Sequence, residues 1–376
     1  MASLGMRKEN RDYVLFLVVV ALLIFGLIMI TSIGVPKSIS LSKPKDILFP
    51  SCGVDGVDCY LLLKRHLIRI GAGIVALIVG MKIPYRFWRK IAIPFFAGAF
   101  IFLMMVFVIG STNNTAARSW INFASGSIQP AEIAKLALIF YLAAWLERKG
   151  KEIEDFKLGF ISFVVVSGIV IFPVLLQPDL GSTLVFAVIA ASLYFIAGGK
   201  FRHIALGVLA IFIFILITVP SVPYLKHRFA SFVNPSVENC QPEPIEGAER
   251  RNYCWQTEQA NIAVGSGGLF GKGLTQGIQK SYWLPQATDD FIFAASAEEL
   301  GFIRIALIVL AYAVIAYRGF LIAYYSADTF GQLAATLLGI GVLLNISEDT
   351  APYANRFLRR RDRRTYYPQS RRYKRS

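Results

Sequence analysis

Four clusters of charged and amide side chains stand at the borders of long apolar runs, and each could do chemistry. In R-S-W-I-N-F-A-S-G-S-I-Q-P-A-E-I-A-K, over 118–135, Pro130 suits the first turn of a helix. Glu132 and Lys135 then lie three apart on one face, close enough to pair, either as a structural ion pair or as part of a site. Arg118 precedes them in a loop, where an arginine can grip phosphate or snorkel to the membrane surface. In Q-P-D-L-G-S, over 177–182, Asp179 suits a helix cap, and its carboxylate would lie at the mouth of a bundle. The stretch 255–280 is rich in glycine and carries Lys272 and Lys280. It is not a Walker phosphate loop, because Ser266 stands where the first glycine belongs and Gly273 where Ser or Thr is required. A flexible, backbone-exposed segment remains, on which the two lysines could meet an anionic head group. Finally, Asp289 and Asp290 open an apolar helical stretch, followed by Glu298 and Glu299. They read as a helix cap with interfacial glutamates, or as a site in which Asp290 is a general base with a pKa raised by burial.

The elements that must position these residues are membrane helices. Of 376 residues, 55% are hydrophobic and 17% charged, whereas a soluble chain carries about a quarter charged. Apolar runs lie near 13–33, 67–83, 91–110, 131–146, 158–176, 181–198, 204–222, 302–324 and 333–346. Runs of this length read as spans, and helices are the default because an open sheet edge cannot be satisfied in lipid. The expected fold is therefore all-α, a polytopic bundle of about nine transmembrane helices over 1–346, with an external loop near 223–300. The first run follows Arg7, Lys8 and Arg11 and is too long for a signal peptide core, so it reads as a retained span. The net charge of +15 sits largely in short loops and a terminal cluster, which points to anionic membrane lipid and not to nucleic acid.

Lysines and arginines in the short loops favour a cytoplasmic N-terminus. The outer loop after the first span is less clean, with Lys37, Lys43, Lys45, Lys64 and Arg65. Cys52 with Cys59 and Cys240 with Cys254 are sequence-local pairs on the outer side, as disulfides or as free thiols. Residues 347–376 form a tail so rich in arginine that it belongs in the cytoplasm, yet an odd number of spans puts it outside.

At the four clusters the sequence resembles the SEDS family (shape, elongation, division and sporulation), which includes FtsW, RodA and SpoVE. Arg118, Trp120, Gln129, Pro130, Glu132 and Lys135 match R-x-W…Q-P-[SA]-E-x-A-K, and 177–181 matches Q-P-D-x-G. Gln256, Gln259 and 265–273 match the glycine-rich region. Leu284, Pro285, Ala287 and Asp290 to Phe293 match L-P-E-A-H-T-D-F-I-F, and 298–301 matches E-E-L-G. Gln279 and Lys280 before Leu284-Pro285 look closer to the division branch. Gln286, Thr288 and Asp289 replace the usual Glu, His and Thr. The family's N-x-G…P-F-x-S-Y-G-G-S-S segment before the tenth span is not found, so the ninth span and its loop are inferred to be missing between roughly Ser326 and Leu333.

The resemblance implies a peptidoglycan glycosyltransferase of the bacterial cytoplasmic membrane that polymerises lipid II with a class B penicillin-binding protein. Asp290 would be the catalytic carboxylate. Arg118, Lys135, Lys272 and Lys280 would grip the pyrophosphate, with Glu132 and Asp179 in support. A divalent ion, magnesium or manganese, would fit between pyrophosphate and carboxylate, although no metal signature is visible. The alternatives are a lipid II flippase and a non-catalytic scaffold for the transpeptidase.

Overall fold

The computed structural model describes residues 12–44, 52–53, 56–111, 119–123, 126–177, 179–221, 255–281 and 283–350. Arg118, the Cys240–Cys254 pair and most of the basic tail lie outside the described residues. Among the described residues, the regular structure is helical apart from one small hairpin. Its helices are α1 (Tyr13–Ile33), α2 (Val35–Ser42), α3 (Leu61–Lys82), α4 (Tyr85–Ile109), α5 (Pro130–Lys149), α6 (Ser162–Leu176), α7 (Leu180–Ile196), α8 (Phe201–Ser221), α9 (Trp255–Gly267), α10 (Ile292–Tyr324) and α11 (Thr329–Thr350). Every apolar run falls in a helix. Among the described residues, four helical segments are long and apolar enough to cross a membrane: Tyr13–Ile33, Tyr85–Ile109, Phe156–Leu176 and Ile292–Tyr324. The apolar helix α7 is shorter. Residues such as Ile68, Val108 and Phe201 are more than 70% exposed, as lipid-facing positions must be when no lipid surrounds them. This is a multi-pass helical membrane protein.

The chain divides into two units. The first comprises Met1–Ala76, Ile217–Val314 and Ile346–Ser376, and the second Leu77–Leu216 with Ile315–Asn345. In the second unit, α5 presents Ala131, Ala134, Ala137, Leu138 and Leu142 to a buried core shared with Leu103 of α4 and Leu193 of α7. Small residues on α5 let its neighbours approach closely, the packing mode favoured where no hydrophobic force acts between helices. Trp88 stacks on Phe140 at 5.2 Å and Phe96 on Tyr141 at 4.3 Å. Before α5 the chain forms a hairpin, Ile121–Phe123 against Gly126–Ile128, which the all-α expectation did not include. The last two helices are joined by residues 325–328 alone and pack tightly, since a Cβ on Gly319 would lie 3.2 Å from the Gly339 Cα.

In the first unit, Met29 and Ile33 of α1 pack with Ala260, Ala263 and Val264 of α9 and with Ala294, Ala295 and Ala297 of α10. The glycine-rich stretch is therefore not the flexible segment expected from composition. Its first half is α9, with Gln259, Ala260, Asn261, Ala263 and Val264 buried, and the rest is bonded into a break in α10. Gly301 interrupts that helix with φ 78° and ψ 175°. A break would strand helical N–H and C=O groups, and here 268–273 satisfies them. Lys272 N–H and Gly273 N–H donate to the carbonyls of Glu298 and Glu299, while Phe302 N–H and Ile303 N–H donate to those of Gly268 and Leu269. Only glycines allow so close an approach: a Cβ on Gly271 would lie 2.1 Å from Glu299 O, and one on Gly301 2.2 Å from Gly271 N.

Candidate active site

In the first unit, the segment 286–291 delivers the paired aspartates to the start of α10. Gln286 holds a left-handed backbone (φ 52°), and its carbonyl accepts from the N–H groups of Asp289 and Phe291. The two aspartates then part ways. Asp289 is ion-paired with Lys37 of α2, and Thr288 Oγ1 donates to it at 3.4 Å. Asp290 has no hydrogen-bond or ion-pair partner among the described residues, and its side chain reaches solvent. Partial burial by the surrounding protein still pushes its carboxyl above the ordinary carboxylate range, the Asp289 charge adds to this, and Lys37 opposes it.

Lys272 and Lys280 do not stand free for a head group, as the sequence suggested. Each closes a buried ion pair. Lys272 Nζ lies 2.5 Å from Glu298 Oε1 and Lys280 Nζ 2.6 Å from Glu299 Oε1, and both glutamates are fully buried. The reading of these glutamates as interfacial is overturned as well. Glu298 also accepts from Ile278 N–H at 3.1 Å and Gln279 N–H at 3.0 Å. Ser32 Oγ, at the end of α1, donates to Glu299 at 2.6 Å and accepts from Thr275 N–H and Lys280. Burying charge is tolerable only with such full pairing. The arrangement rivets 272–280 to α10 and α1 and gives the aspartate segment a rigid footing. Beside it, an apolar cavity of about 550 Å³ is lined by Phe25, Met29, Leu274, Leu300 and Leu307, with Arg304 as its only charged lining residue.

In the second unit, the N-termini of α5 and α7 meet. Asp179 caps α7 by accepting from Ser182 N–H at 3.0 Å, and it also accepts from Gln129 Nε2 at 3.2 Å, next to the first residue of α5. Glu132 and Lys135 form the expected i,i+3 pair at 2.8 Å, with the glutamate 57% and the lysine 12% exposed. Two helix N-termini with a lysine nearby favour anions. Asp290 belongs to the other unit.

Sequence reasoning missed two residues, Lys37 and Ser32. The one available signal was a lysine directly after Pro36, in the loop that the charge balance assigns to the outer side, against the usual bias. Cys52 and Cys59 form a disulfide in the loop that follows α2. Among the described residues, no group of three or more His, Cys, Asp or Glu could hold a metal ion. Asp289, the obvious second ligand, is occupied by Lys37. The described residues therefore do not fit a protein-made cation site.

Helices around a buried ion-pair footing, with a carboxylate that is unpaired among the described residues at the start of a broken helix, define a polytopic membrane protein with a candidate acid–base site. A family model covering FtsW, RodA and SpoVE, described as cell cycle proteins, matches residues 12–348. The chain belongs to this family. It is 34% identical over 344 residues to the probable peptidoglycan glycosyltransferase FtsW of Geobacter metallireducens, covering 90% of this chain and 85% of that one. It is 33% identical over 347 residues to stage V sporulation protein E of Bacillus subtilis, covering 90% and 87%. Among solved structures, a chain from a peptidoglycan synthase complex that coordinates polymerisation and crosslinking superposes with a TM-score of 0.67 at 23% identity, covering 92% of this chain and 88% of that one. That likeness concerns the fold.

Proposed function

We propose that this protein is a peptidoglycan glycosyltransferase that polymerises lipid II, with Asp290 as general base. The observation carrying this reading is the asymmetry of the two aspartates, one neutralised by Lys37 and the other unpaired with a raised pKa. Asp290 takes the proton from the 4-hydroxyl of an acceptor sugar. The resulting oxygen nucleophile attacks the anomeric carbon of a donor, a C–O bond forms, and the bond to undecaprenyl pyrophosphate breaks with its electron pair. The leaving group needs positive surroundings, and the match to the family's motifs, not any placement relative to Asp290, makes Arg118 and Lys135 the candidates to provide them, with Glu132 and Asp179 in support. Lys272 and Lys280 act here through the footing they build. The apolar cavity between α1 and α10 suits the polyprenyl tail.

The likeness to a synthase-complex chain supports a class B penicillin-binding protein as partner. Basic residues at the N-terminus and in alternate short loops support the bacterial cytoplasmic membrane with the N-terminus inside. Nine helices entering the membrane are part of the same proposal. A divalent ion would arrive with the pyrophosphate, and chelator titration of the reaction reads its contribution.

The test is reconstitution of the full chain in vesicles with lipid II. Glycan polymer should form, and Asp290→Ala should lower the rate roughly 10²–10⁴-fold, the usual worth of a general base. Wild-type protein that moves lipid II across the vesicle and makes no glycan would favour the flippase. A scaffold would bind its transpeptidase with or without Asp290 and make nothing.

A further inference from the structure

We propose that Lys37 is a positioning residue for the Asp290 chemistry: it holds Asp289 in an ion pair, so that of two adjacent carboxylates only Asp290 is left to meet substrate. The inference rests on the catalytic reading of Asp290 and goes beyond it. Two neighbouring carboxylates without a cation repel each other and share their protons, and neither is a defined base. Lys37 removes that ambiguity from 252 residues away in sequence.

The lysine is delivered by a built platform. Helix α2 begins at Val35 immediately after α1, with Pro36 in its first turn. Ser38 Oγ donates to Gly34 O at 2.8 Å and accepts from Leu62 N–H at 3.1 Å, tying α2 to the start of α3. Ser42 Oγ accepts from Asp58 N–H at 2.9 Å. The Cys52–Cys59 disulfide closes the intervening loop, and Lys64 pairs with Asp58 at 2.7 Å. The hydrogen bond from Lys64, with a second from Tyr60 N–H, holds the Asp58 carboxyl below its ordinary value. Every one of these contacts fixes the base of α2 and leaves the lysine tip on Asp289. The pair itself is exposed, 38% on the lysine and 53% on the aspartate, so it contributes little to stability. Its consequence lies in placement.

The experiment measures glycan synthesis by the reconstituted full chain across lipid II concentrations, with thermal unfolding in detergent as a check on each variant. Lys37→Met should lower kcat about tenfold or more with KM unchanged, a loss in the range expected when a reacting group is misplaced. Lys37→Asp should lose more, and the charge-reversed pair Lys37→Asp with Asp289→Lys should recover most of that loss. Lys37→Arg should restore most of the rate. Wild-type turnover in Lys37→Met, a loss confined to KM, or no recovery in the reversed pair would each overturn the proposal. Asp290→Asn separates the two readings. If it still polymerises glycan, the catalytic reading falls. If it is inactive while Lys37→Met runs at the wild-type rate, only the role of Lys37 falls.

Discussion

At the scale of single residues, Asp289 and Asp290 differ by one position and by their whole electrostatic setting. The carboxyl of Asp290 titrates above its ordinary value, so its basic form is lost as pH falls through that raised pKa. The acidic limb of kcat/KM should therefore lie above roughly pH 4, the free-aspartate value. Asp289→Asn removes a neighbouring negative charge and releases Lys37, and both changes lower the Asp290 pKa. The limb should move to lower pH, measured as kcat/KM against pH in vesicles, and movement to higher pH would contradict this account. The register with F-I-F made Asp290 legible in the sequence. Its distinction from Asp289 was not, because the deciding lysine is remote in the chain and its neighbourhood reads as an ordinary outer loop. Lys272 and Lys280 were legible as cations, but their partners, two turns beyond the aspartates, were taken for surface groups.

Among the elements, the broken helix α10 and the glycine loop that completes it illustrate what composition hides. Dense glycine reads as slack chain, yet Gly268, Gly271 and Gly273 take positive φ so that the loop can enter the break. Gly301→Ala forces a left-handed alanine against Gly271 N and should cost at least about 2 kcal/mol. Gly71→Ala, where a Cβ meets nothing within 4 Å, should be neutral or slightly stabilising. Thermal unfolding of the two in detergent makes the comparison. Glu299→Leu leaves Lys280 buried without its partner and should cost about 3–5 kcal/mol, whereas Glu299→Leu with Lys280→Met should regain most of it. Equal losses in the single and double variants would show that the pair is not the source. The helices themselves were readable from apolar runs, because a span must satisfy its own backbone. The hairpin before α5 was not, since its strands are only three residues long.

For the whole molecule, charge and the count of helices pull in opposite directions at the C-terminus. Helix α10 leads away from the aspartates, and α11 returns beside it after residues 325–328. If α11 crossed completely, the basic tail would lie outside. The apolar run in α11 covers only about 333–346, short of the ~20 residues of a full span, while each basic residue near an anionic inner surface is worth about 1 kcal/mol. Charge should win. Topology reporters fused at Ser326 and after Thr350 should both register the cytoplasm, and an external signal after Thr350 would establish α11 as a full crossing. The family match continues through residue 348, so this last helix belongs to the matched region.

The seam at Gly301 carries a mechanical consequence. Because the amides of Lys272, Gly273, Phe302 and Ile303 are stitched across the break, the part of α10 before Gly301 cannot tilt without pulling backbone groups from their hydrogen-bond partners. Whatever shifts the start of α10 must drag the glycine loop and, through Ser32, the tip of the first helix along with it. The three segments should therefore move as one body.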